Sequence, residues 1–345
     1  MNSELADFSA RSICFRKNRN FFMSSYTWVQ VAEKAAFAPR DGAGALVFDG
    51  RMWLLGGWNP DDKANFPKIC NSEVWSSSDG QCWNLENPAA PWEARHCAGY
   101  VVHEGRMWIV GGDSVQGHYQ SDVWNSLDGI TWERVCDKAP WGPRALHHTA
   151  AFAGKIWVMG GQTIPKHGPV EERFYSDVWS SEDGCQWTQI AHGLPWAPRG
   201  MIGGQVVFQN RLWMLGGGTF ETPQRPDRVI YNDVWSTRDG IQWECHTAAA
   251  PWAPRQFHEI AVFDHQMWVL EGYTHSGNRI YCPDSGNRND VWCSSDGIHW
   301  AEVPQSPWAP RHAASVFVHR DALWLVAGNN MTSDVWKLIR NDHCS

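Results

Sequence analysis

Several things are scarce in these 345 residues. The ten cysteines, at 14, 70, 82, 97, 136, 185, 245, 282, 293 and 344, include no C-x-x-C pair. That scatter fits reduced thiols rather than a disulfide framework or a four-thiolate zinc site. No stretch approaches the roughly 18 apolar residues of a membrane span, and residues 1–25 lack the apolar core of a secretory signal. Positive charge is also short, with 29 Lys and Arg against 37 Asp and Glu and a net charge of −8. No cationic excess exists to meet a phosphate backbone or acidic lipid. Phosphate-loop, dinucleotide and G-x-S-x-G motifs are missing as well. The expectation is a soluble, cytoplasmic, monomeric protein with no nucleic-acid or membrane partner and no nucleotide cofactor.

Tryptophan, in contrast, occurs 24 times. So many large rings imply a recurring slot, and aligning the chain with itself finds one. Trp53, Trp108, Trp157 and Trp213 each stand in an apolar run ending in Gly-Gly, and Trp268 and Trp324 stand in two degenerate copies, with spacings of 49 to 56 residues. Each unit reads as four short strands. The first leads into a tight turn such as Asp49-Gly50; the second carries the Trp and Gly-Gly. The third contains Glu73-Val74-Trp75 or an Asp-Val-Trp, and a Ser-x-Asp-Gly-type turn opens the fourth. Pro-Trp-x-x-Arg then leads onward, from Pro91 to Arg95 and at four later places. The sixth unit lacks its fourth strand, but Tyr26–Val31 resembles Ile130–Val135. The N-terminal segment is therefore expected to complete the last unit and close a ring without exposed edges.

Gly-Gly after an apolar strand, a downstream Trp and a Pro–Arg linker resemble the kelch repeat. Six such units resemble the kelch-type six-bladed β-propeller, over Tyr26 to Lys337. The fold expected is thus all-β: a flexible arm over 1–25, a propeller over 26–337 and a tail over 338–345. The resemblance spans protein-docking platforms, copper-radical oxidases, sugar mutarotases and iron-dependent specifier proteins, and the fold alone does not choose. The Asp-Gly turns also look like sialidase Asp-boxes, though they are one residue shorter; they read as hairpin chemistry.

In a propeller of this type the linkers and the loops after the second strands share one face. These loops vary between units while the Asp-Gly turns hardly do, which marks the loop face as the candidate site. Arg40, Arg95, Arg144, Arg199, Arg255 and Arg311 recur in one slot and read as structural hydrogen-bonding groups. The next position varies, and by resemblance it rims the central opening. Asp41, His96 and His312 stand there in units that become consecutive when the ring closes. Two imidazoles and a carboxylate are the donor set of an open Fe(II) or Zn site; equally, the three could pair with arginines or solvent.

Two residues further on, His147 and His258 are candidate acid/base groups or extra ligands, for copper among others, or else satisfied interior histidines. The ring after Gly-Gly holds Trp58, Asp113, Gln162, Tyr273 and Asn329; with Gln256 these are candidate substrate contacts. Trp58 is expected as a stacking wall or a loop anchor, and Glu271, where four units keep Gly, as the partner of an arginine or else a functional carboxylate. Cys97 alternates with His96 and is expected to face the blade interior. The leading expectation is a metal-assisted small-molecule enzyme, of oxidoreductase or isomerase/lyase type, with its site at the loop-face mouth. A non-catalytic docking platform is second. A metal-free sugar mutarotase, using Glu259 and Arg255, is third.

Overall fold

The computed structural model describes residues 26–61, 69–200, 206–220, 222, 228–275, 286–304 and 306–341. Every regular element among them is a strand, and six four-stranded antiparallel sheets form a six-bladed β-propeller. Blade one is Gly44–Phe48, Arg51–Leu55, Val74–Ser77 and Asn84–Asn87, each strand paired to the next. Blade six joins Ser315–His319, Ala322–Val326 and Val335–Arg340 to Tyr26–Ala32, with Tyr26 opposite Arg340 and Gln30 opposite Trp336. The ring closes as the repeat implies, and its last strand runs to Arg340.

The buried apolar residues divide into six clusters, one in each seam between blades. The seam between the last and first blades, for example, packs Phe317 and Trp324 against Met52, Leu54 and Trp83. Tryptophan suits such seams because it fills volume, and in the second, third and most fourth strands its one N–H also finds an acceptor, whereas the N–H groups of Trp28 and the linker indoles have none. Second-strand indoles donate to the end of the first strand, as Trp53 to Phe48 O at 3.0 Å. Third-strand indoles bond the carboxylate two residues back, as Trp124 to Asp122 at 2.7 Å. Linker indoles pack edge-on against fourth-strand ones, as Trp92 on Trp132 and Trp308 on Trp28.

The Asp-Gly turns lock neighbouring blades. In the second, Asp128 accepts from the Ile130 and Thr131 amides at 2.8 and 2.7 Å, and Ser126 from that of Gly129 at 2.8 Å. Gly129, at φ 74°, rests on the Trp53 ring of the preceding blade, where a Cβ would come within 2.2 Å.

All six linker arginines are buried, as the repetition of their slot predicts. Arg95 donates to Gly111 O at 2.9 Å and grips Asp122 at 2.6 and 3.0 Å. Arg311 repeats this with Ala327 O and Asp334, and Arg40 with Gly56 O and Glu73. A bidentate, desolvated pair of this kind fixes the second strand to the third and fixes the backbone next to the arginine.

Candidate functional site at the channel mouth

The arginine slot sets the position of everything after it. The next residue pairs, backbone to backbone, with the residue after Gly-Gly in the same blade. Asp41 pairs with Trp58, His96 with Asp113, Ala145 with Gln162 and Gln256 with Tyr273; Asn329 N donates to His312 O at 2.9 Å. The two rings of candidates read from the sequence thus lie side by side around the opening.

The second residue after the arginine departs from strand geometry. Gly42, Cys97, Leu146, Phe257 and Ala313 all have φ between 52° and 58°. In this left-handed conformation they bond from blade to blade: Ala313 N to Phe257 O, Gly42 N to Ala313 O, Cys97 N to Gly42 O and Leu146 N to Cys97 O, at 2.8–3.0 Å. The belt breaks the in-and-out alternation expected of a strand. Cys97 therefore does not face away from His96 into the blade; its side chain joins the mouth, which corrects the sequence-based expectation.

The same change of direction affects His147 and His258, one residue later. Both lie under the rim, on the linker indoles Trp141 and Trp252, against Gly111 and Gly216 of the preceding blade. His258 Nε2 meets Leu215 O at 2.9 Å. Burial, with Arg144 or Arg255 nearby, pushes each imidazole down to about 3, so both are neutral. Both are interior histidines by burial, but only His258 is anchored in this way: neither ring nitrogen of His147 makes an aligned hydrogen bond, and His147 also borders the central channel.

The mouth encloses a cavity of about 340 Å³. On one side, Asp41, Cys70, His96, Cys97 and Asp113 converge. His96 Nδ1 is 3.1 Å from Asp113 Oδ1 and 3.5 Å from Cys70 Sγ, and its ring stacks on Trp58 at 5.9 Å. Burial lifts the carboxyl groups of Asp41 and Asp113 to about 6, against the pull of His96. Burial, the largest single influence, would lower His96, but Asp113, Cys97 and Cys70 together outweigh it and hold the imidazole well above its usual range. The thiol of Cys97 is pushed up to about 12 by burial. The other side is basic and aromatic. Arg228 lies over Phe220 at 4.5 Å and Tyr273 at 5.3 Å, and Lys166 over Phe220 at 5.9 Å.

The candidates distribute unevenly over this cavity. Asp41, Trp58, His96, Asp113, Gln162, Tyr273, His312 and Asn329 line it, whereas Gln256 is buried beside it. Trp58 is committed to His96 on one face. His312 turns from the acidic cluster: its Nδ1 meets Asn287 Oδ1 at 2.7 Å, and its ring packs near Phe257 and Tyr273. A chain of amides links it to Asp41, through Asn287 to Asn329 at 3.5 Å and Asn329 to Asp41 at 3.1 Å. Among the described residues, the His/Cys/Asp/Glu set whose donor atoms gather within 4.8 Å is His96, Cys97 and Asp113. The expected trio of Asp41, His96 and His312 is not gathered in this way, because His312 faces across the opening.

Glu271 also differs from expectation. It adopts φ 52° in the glycine slot, and Arg255 bonds its backbone carbonyl at 2.8 Å. Its carboxyl reaches across the seam to the Ala314 amide at 3.2 Å rather than to an arginine, and burial holds it well above the usual carboxylate range.

Sequence reasoning missed Cys70, Lys166, Phe220, Arg228, Phe257 and Asn287 at the mouth. The one available signal was Gly42, which marks a left-handed slot whose occupants in other blades, Cys97 and Phe257 among them, must turn with it. No helix among the described residues is long and apolar enough to cross a membrane. No family model matches the chain. A Drosophila melanogaster protein described as "Leucine-zipper-like transcriptional regulator 1 homolog" is 28% identical to it over 146 residues, 41% of this chain. The chain covers only 14% of that relative's length, so the likeness concerns a part of each protein and not the whole.

Proposed function

We propose that this chain is a kelch-type propeller that binds and transforms a small polar molecule at its loop-face mouth. The observation that carries this reading is the two-sided cavity, with buried titratable groups on one wall and cationic and aromatic groups on the other. Concave sites of this size with a few convergent polar groups suit small ligands, and displaced pKa values concentrate where proton transfer is done. An anionic group of the ligand would rest on Arg228 and Lys166, and a planar portion against Tyr273. Asp41, lifted to about 6 and oriented by Asn329, is the group suited to exchange a proton near neutral pH.

The test is a thermal-shift screen of sugar acids, phosphorylated sugars and amino acids. A ligand at about 100 times its Kd adds about 2.7 kcal/mol of stability, a shift of a few degrees. The shift should vanish in Arg228→Ala, and turnover, where seen, should be lost in Asp41→Asn. A hit whose shift survives both substitutions would place its site elsewhere and sink the reading. Docking of a protein on the same face is the second reading, favoured by the regulator's name borne by the Drosophila relative. It predicts a panel with no hits.

A further inference from the structure

We propose that His96, Cys97 and Asp113 form a binding site for one zinc ion, open towards the mouth cavity. The inference deepens the reading above, since the ion would stand where the small molecule enters, but it depends on separate observations.

The first is convergence. His96 and Cys97 come from the linker of blade two, Asp113 from the far end of its long second strand, Arg106–Val115, and their donor atoms lie within 4.8 Å of one another. Tetrahedral zinc, with bonds of about 2.0 to 2.3 Å, needs ligand atoms roughly 3.3 to 3.8 Å apart. The 3.1 Å between His96 Nδ1 and Asp113 Oδ1 is already near that spacing, so the thiol is the group that must move.

The second is an incomplete partnership. Asp113 is 2% exposed, and its Oδ1 makes no aligned hydrogen bond despite its closeness to the imidazole. The imidazole directs Nδ1 at the Asp113 backbone carbonyl, 3.2 Å away, so the buried carboxylate oxygen has a charged neighbour but no aligned donor, a shortfall that a bound metal ion would fill.

The third is backbone. Only the left-handed turn at Cys97 brings adjacent residues of one chain to the same point, and the inter-blade bonds of Cys97 N and O hold that turn on both sides.

The donor set selects the ion. Imidazole, thiolate and carboxylate together favour a borderline divalent metal over magnesium or calcium, and three protein ligands leave a fourth position for water or substrate. Cys70 Sγ, 3.5 Å from His96 Nδ1, and Asp41 on the adjacent blade flank that position. Loading is balanced by proton release: zinc replaces the proton on His96 Nδ1 and that on the Cys97 thiol, with no change of oxidation state.

Full-length protein is stripped with chelator, reloaded with zinc or cobalt, desalted and assayed with no small molecule present. About one equivalent of zinc per chain is expected, with a thiolate-to-cobalt charge-transfer band in the cobalt form. Cys97→Ser should lose the band and His96→Gln should lose stoichiometric zinc, while Cys245→Ser, on an exposed strand, keeps both. Near-UV circular dichroism establishes that each variant is folded; should His96→Gln fail this, Asp113→Asn takes its place. Zinc below about a tenth of an equivalent in the reloaded parent, or a band unchanged in Cys97→Ser, overturns the site. The ligand screen on metal-free protein stands apart: hits without zinc sink the site and leave the mouth reading standing, and zinc without hits does the reverse.

Discussion

At the scale of single residues, the buried histidines carry a measurable signature. His147 and His258 titrate at about 3 in the folded chain against 6.5 in a free one. Between those values each takes a proton only on unfolding, so stability falls as pH drops from 6.5, by about 1.4 kcal/mol per pH unit per histidine. Asp41 and Asp113, raised to about 6, act in the opposite sense below that pH. A difference measurement separates the two effects. Denaturant titrations between pH 6.5 and 4.5 should give His258→Gln a slope of stability against pH that is lower than the parent's by about 1.4 kcal/mol per pH unit; equal slopes would mean that this imidazole is already solvated. The arginines were legible at this scale because a residue repeated in six equivalent slots has a common structural cause. Cys97 was not: alternation along a strand is a rule for extended backbone, and one left-handed residue reverses it for all that follow.

At the scale of the element, the Asp-Gly turn does more than reverse the chain. Gly129 and Gly154 share a left-handed φ, 74° and 73°, yet a Cβ on the first would come 2.2 Å from the Trp53 ring, and on the second would meet nothing within 4 Å. Gly154→Ala should therefore cost only the left-handed penalty of about 1–2 kcal/mol. Gly129→Ala adds displacement of a seam indole and should cost about 3–5 kcal/mol. Similar midpoints for the two variants in urea would show that the turn does not hold the seam. Strand order and the existence of each blade followed from the repeats, since every unit writes its strands in the same order. The loops that furnish the mouth did not follow. Lys166, Phe220 and Arg228 stand in segments that differ from unit to unit, where no internal comparison can place a side chain.

At the scale of the whole molecule, closure depends on one strand. Tyr26 Oη donates to Asp264 at 2.6 Å, Trp28 packs edge-on against Trp308, and residues 26–32 cover the edge of Val335–Arg340. Removing residues 1–32 should leave that edge bare and open the seam beside Phe37 and Trp324. The expected result is a lower, broader melt and self-association in light scattering. A shortened chain that melts in one sharp transition at the parent's temperature would show that the ring does not need its clasp. Closure itself was legible, because the final unit lacks a strand and the N-terminal segment has the sequence of one.

The clasp also orders events during synthesis. Among the described strands of the propeller, the one synthesised first is the one that pairs last, since its partner at 335–340 emerges after all the others. Until 335–340 has emerged, Tyr26–Ala32 lacks its partner strand and is a natural target for a chaperone that holds the nascent chain until the circle can be completed.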